Sequence, residues 1–81
     1  DRKMIDAFEK ATRLGVEEEA QGKPLDWLTD AFYTLGDQYM LVHNESGAKR
    51  AWTKYIERAP KDQARYTEVS NALATTLKSV P

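Results

Sequence analysis

The run Phe32-Tyr33-Thr34-Leu35-Gly36-Asp37-Gln38-Tyr39, followed by Ala48-Lys49-Arg50-Ala51-Trp52 and then by Pro60, decides how this chain folds. Large side chains recur at Phe32, Leu35 and Tyr39, three and four residues apart, which is the spacing of one helix face and not the alternation of a strand. Between the two runs lies His43-Asn44-Glu45-Ser46-Gly47, a cluster of turn formers. Two helices joined so closely pack as antiparallel neighbours. Small residues at Gly36 and Ala48 let their backbones approach, while Phe32, Leu35, Tyr39 and Trp52 fill the seam on either side. Pro60 removes a backbone donor and ends the second of the two helices.

The same period extends outward. The first helix of the hairpin starts at residues 24–26, since Pro24 is tolerated in a first turn and Asp26 complements the helix dipole. Its apolar stripe is Leu28, Ala31, Phe32, Leu35, Tyr39 and Val42. Asn44 suits a left-handed residue, His43 caps the preceding helix end, and Ser46 suits an N-cap. The next helix runs from about Gly47 to Arg58 with Ala48, Ala51, Trp52, Tyr55 and Ile56 inward. Upstream, Asp1 to about Leu14 carries Met4, Phe8, Ala11 and Leu14 on one stripe. Gly15 either ends that helix or is bridged by the helix-forming residues 16–21, and Gly22-Lys23-Pro24 is the first firm break. Downstream, Asp62 is placed to cap a helix over residues 63–78 with Tyr66, Val69, Leu73 and Leu77 in register. The expectation is an all-α chain of about four antiparallel helices.

Aromatic-x₂-Leu-Gly-x₂-Tyr from Phe32 to Tyr39, Ala-x₃-aromatic from Ala48 to Trp52, and Pro60 at the close together resemble a tetratricopeptide repeat, a helix–turn–helix unit of about 34 residues. Phe32 stands for the family's usual Trp, Trp52 for its Phe, and Tyr55 for a commoner Ala. The resemblance is clear over residues 29–62 and fainter outside. Met4 to Ala11 looks like the second helix of a preceding unit, with an insertion around Val16 to Leu25. Tyr66-x₂-Val69-Ser70-x₂-Leu73 looks like the first helix of a following one. The resemblance implies one domain over residues 1–81: residues 1–21 from a preceding partial repeat with insertion, 24–60 the complete hairpin, and 62–79 a capping or following helix.

Composition narrows the function. Eighty-one residues make one small domain with a thin core, since a chain of this size buries only about 60% of its unfolded surface. Cysteine is absent, so no disulfide or thiolate metal site staples it. The chain opens on Asp1 and stops in mid-pattern at Pro81, as an excised segment would. No apolar run reaches the ~20 residues of a membrane span. A net charge of −1 argues against a dedicated nucleic-acid binder. The charge is uneven: Glu17-Glu18-Glu19 is acidic, whereas Lys49, Arg50, Lys54 and Arg58 recur at helical spacing.

The resemblance to the repeat family implies a protein-interaction module whose concave face is lined by the first helix of each pair. That face predicts Asp30, Tyr33, Asp37, Met40 and Leu41 from one helix, and Thr67, Asn71 and Ala74 from the next. The partner would be a peptide or helix carrying basic and apolar residues. Family members that clamp a C-terminal carboxylate use Lys and Asn on this face. Only Asn71 survives here, so a chaperone-tail clamp is not expected. A spacer within a longer repeat protein is one alternative. Another is an electrostatic binder of an acidic partner, RNA or anionic lipid through the basic strip, though no aromatic platforms interleave it. Neither a metal site nor a cofactor is expected: His43 is the sole histidine and no carboxylates accompany it at ligand spacing. No nucleophile has a base beside it, so no enzyme activity is expected. Asn44-Glu45-Ser46 matches a glycosylation acceptor, a tripeptide common by chance.

Overall fold

The computed structural model describes residues 2–81; Asp1, where the first helix was expected to begin, lies outside them. Four helices, α1 (Arg2–Ala20), α2 (Asp26–Leu41), α3 (Glu45–Arg58) and α4 (Ala64–Ala74), account for all the regular structure among the described residues. The all-α expectation holds. None of these helices is long and apolar enough to cross a membrane.

Gly15 does not end α1. It is buried, and a Cβ on it would lie 2.8 Å from Leu28 Cδ1 and 3.0 Å from the Trp27 ring. The glycine is there so that α1 can come down onto α2. The helix runs to Ala20 and closes through Gly22, whose φ of 92° suits a residue without a Cβ. The inward stripe of α1 differs from the expected one. Ile5, Thr12 and Gly15 are buried and Phe8 is half-buried, whereas Met4 and Leu14 are exposed. Backbone contacts tie α1 to α2 alone, so a narrow stripe suffices and Met4 and Leu14 fall on its far side.

The α2–α3 link departs from expectation by one residue. His43 takes the left-handed conformation at φ 60°. Its N–H donates to the Met40 carbonyl at 3.1 Å, and Asn44 N–H donates to the Tyr39 carbonyl at 2.8 Å, the paired bonds of a Schellman closure. His43 therefore ends α2, as expected. Asn44 is the N-cap of α3, its Oδ1 accepting the Gly47 N–H at 2.9 Å, and Ser46 falls inside the first turn. Val42 sits at the helix end and is exposed. At the next turn Gln63 is the N-cap without a side-chain bond, so Asp62 does not cap α4. α4 stops at Ala74, where the Thr75 hydroxyl bonds back to the Asn71 carbonyl; Leu77 is reached by a turn and is fully buried.

Side-chain bonds give the directions. Glu9 of α1 accepts from Tyr39 near the end of α2, while Glu19 meets Leu25 at its start. Arg58 at the end of α3 meets Thr29 near the start of α2, and Lys49 at its beginning meets Val80 beyond α4. Consecutive helices are antiparallel, and backbones approach only between consecutive helices. The result is a slab of 35 × 32 × 20 Å, about two helix diameters thick. α1 and α3 flank one side of α2, and α4 leans on α3. In the central seam, the space that a Gly36 Cβ would need is taken by the Trp52 indole, whose Nε1 donates to the Tyr33 carbonyl at 3.1 Å. A Cβ on Gly47 would likewise lie 2.6 Å from the Tyr39 ring, and Ala48 is fully buried.

Candidate functional site

The outward face of α2 can be read from which residues remain accessible. Asp30, Asp37 and Leu41 are exposed, Leu41 by 71%. Tyr33 and Met40 are not: both are half-buried and packed against the core. The expected ridge is thus rotated on the helix. Trp27, 48% exposed, and half-buried Thr34 fall in line with Asp30, Asp37 and Leu41 at alternating three- and four-residue steps. Trp27 was missed because it follows neither the inward stripe that begins at Leu28 nor the expected ridge.

Tyr33 has become the wall of a cleft instead of a free anchor. Its ring stacks on Trp52 with centroids 6.5 Å apart and tilts against Tyr55 at 5.5 Å. The Arg65 guanidinium of α4 lies 4.5 Å over its face, a cation–π placement. Arg65 also reaches the exposed Asp30 carboxylate at 3.7 Å. Beyond it opens a cleft of about 180 Å³ between α2 and α4, lined by Tyr33, Asp37, Trp52, Glu68 and Val69. Desolvation raises the pKa of Asp37 above the ordinary carboxylate value, and Glu68 adds to the rise against the pull of Arg65. Desolvation also raises that of Tyr33, with further contributions from Asp37 and Glu68. Two carboxylates from different helices at one cleft make a place where a cation is favoured. Asn71 and Thr67 are exposed on α4 and do not line this cleft.

The sequence singled out neither Glu68 nor Arg65. Their three-residue spacing on one face of α4 was visible, but nothing in the chain said that this face would look across at Asp37. Phe32, Leu35, Gly36, Tyr39, Ala48 and Trp52 are all buried, and Pro60 is exposed in the turn after α3.

The basic strip on α3 is not a free strip. Arg58 forms a bidentate pair with Glu19 at 2.5 and 2.6 Å, and also reaches Thr29 Oγ1 at 3.2 Å and the Leu25 carbonyl at 3.5 Å. The hydrogen bond from Arg58, helped by the Leu25 N–H, lowers the Glu19 pKa to about 2. Lys49 donates to the Val80 carbonyl at 2.5 Å and holds the C-terminal turn in place. Lys54 stands 4.0 Å from Glu57, both largely exposed. Of the four, Arg50 and Lys54 are exposed and Lys49 and Arg58 are half-buried. Compared with protein-family models, curated proteins and solved structures, the chain matches none of them.

Proposed function

We propose that the chain is a tetratricopeptide-like hairpin flanked by parts of neighbouring repeats, and that it binds a basic segment of a partner protein in the cleft between α2 and α4. The observation that carries this reading is the meeting of Asp37 and Glu68 from two different helices over an aromatic floor of Tyr33 and Trp52. A lysine or arginine side chain placed there relieves the repulsion of the two acids, and its stem lies along apolar rings. Trp27 and Leu41 lie farther along the same α2 face and offer apolar contacts to the rest of such a segment. Charge complementarity of this kind governs partner choice and encounter rate. In a repeat stack, α2 and α4 are the first helices of successive units, which is where a concave groove belongs.

The test is binding of a peptide array whose members combine Lys or Arg with a large apolar residue. Asp37→Lys together with Glu68→Lys is expected to lower affinity at least about tenfold; both residues are exposed, and circular dichroism checks that the helices are kept. Equal binding by wild type and the double variant sinks the cleft reading. The spacer reading then takes its place. It has its own support in the exposed Met4 and Leu14 of α1, which lie where a further helix of a stack would pack.

A further inference from the structure

We infer that the hairpin carries a second docking site, between α1 and α3, for an acidic segment of a partner protein that inserts one large apolar side chain. This inference does not depend on what the α2–α4 cleft binds. The backbones of α1 and α3 do not approach one another, and α2 forms the floor between them. One side-chain bridge spans the space, Arg58 of α3 paired with Glu19 of α1; toward the other end the Tyr39 hydroxyl of the α2 floor donates to Glu9 of α1. What remains is a window. One part, about 300 Å³, is lined by Thr12, Arg13, Val16, Glu17, Phe32 and Lys54. The other, about 150 Å³, adds Leu35, Ala51 and Arg50. Phe32 and Lys54 line both, so the two parts are neighbours.

The walls of the larger part present almost no polar atoms, and Val16 stands on its lip with nearly half its surface exposed. An open apolar hollow of this size takes a leucine, isoleucine or phenylalanine side chain of a partner and covers one side of it. The rim decides what flanks that anchor. Arg13, Arg50 and Lys54 line the window against the single acid Glu17, so its lining is net positive by two in a chain whose net charge is −1. Glu9 and Glu57 line neither part of the window. The complementary ligand therefore has Asp or Glu on either side of an apolar anchor. A second copy of this chain and a nucleic-acid strand are the competing occupants. The apolar recess has no use for a nucleic-acid backbone, and stacking would need exposed rings on the rim.

The probe is a short fluorescein-labelled peptide with a central phenylalanine–leucine pair between aspartates and glutamates, followed by anisotropy at physiological salt. Wild-type protein is expected to bind it. Val16→Asp, and separately Arg13→Glu with Lys54→Glu, should each weaken binding at least about tenfold. All three positions are exposed, so the fold is kept. Lys23→Glu with Lys61→Glu changes net charge by the same amount elsewhere and should leave affinity within about twofold. The inference is overturned if wild type does not bind, if a peptide with glycine and serine for the apolar pair binds equally, or if the control pair weakens binding as much as the rim pair. It is overturned too if a single-stranded RNA oligonucleotide displaces the probe as well as unlabelled peptide does. Sedimentation that shows a dimer lost in the rim variant gives the window to a second copy, against the proposal.

Discussion

At the scale of single residues, the seam depends on Gly36 as well as on the large side chains beside it. Replacing a glycine inside a helix with alanine normally helps by about 1 kcal/mol, because the backbone loses less freedom on folding. Here the opposite sign is expected. The Trp52 indole fills the space and is held there by its bond to the Tyr33 carbonyl, so the ring has no direction in which to yield. Overpacking of this sort costs about 1–3 kcal/mol, and Gly36→Ala should lower Tm by roughly 4–8 °C per kcal/mol of net loss. A raised Tm for Gly36→Ala would show that the indole does not lie across the glycine. The need for small residues at Gly36 and Ala48 was legible from their spacing to Phe32, Leu35 and Trp52. The fate of Tyr33 was not. It follows Phe32 by one position, and whether it meets solvent depends on where α4 places Arg65, a contact between residues 32 apart in sequence.

At the scale of elements, the sequence pattern found four helices and misjudged their ends. The ends are decided by competing bonds that periodicity does not see: His43 rather than Asn44 took the left-handed position, and Asn44 was thereby free to cap α3. The Thr75 hydroxyl, not a breaker residue, marks the close of α4. α1 is tied to the hairpin at its C-terminal end by Glu19, which Arg58 keeps ionised down to about 2 against an ordinary 4.5. A carboxylate whose folded pKa is depressed stabilises the fold above its unfolded pKa and ceases to do so as pH falls through the folded value. Glu19→Gln removes that contribution. The Tm difference between wild type and Glu19→Gln should therefore be full above about pH 4.5 and shrink between 4.5 and 2. A difference that stays constant across this window would mean that the Glu19–Arg58 pair does not hold α1.

At the scale of the whole molecule, contact runs in sequence: α1 touches α2, α2 touches α3, and α3 touches α4. Such a chain of neighbours opens from its ends, since each terminal helix has one close backbone neighbour and each inner helix has two. Amide hydrogen exchange should be slowest around Leu35, Tyr39, Ala51 and Trp52 and faster throughout α1 and α4. Uniform protection in all four helices would show a single cooperative unit instead. This nearest-neighbour order was legible, because short turns leave little choice. Which faces meet across a turn was less so. The α2–α4 cleft and the α1–α3 window both lie between helices that are not consecutive, and each requires the rotation of a helix about its own axis to be known. That rotation rests on small matters, such as Gly15 admitting Leu28.

The placement of the two tryptophans makes the molecule its own optical instrument. Trp52 is 8% exposed, wedged against Gly36 with its N–H engaged, whereas Trp27 stands 48% exposed on the outward face of α2. Their emission is therefore separable: a charged collisional quencher such as iodide reaches Trp27 and leaves Trp52 bright. Blue-shifted light reports whether the seam is closed, and red-shifted light reports what has settled on the outer face of α2, in one unlabelled sample.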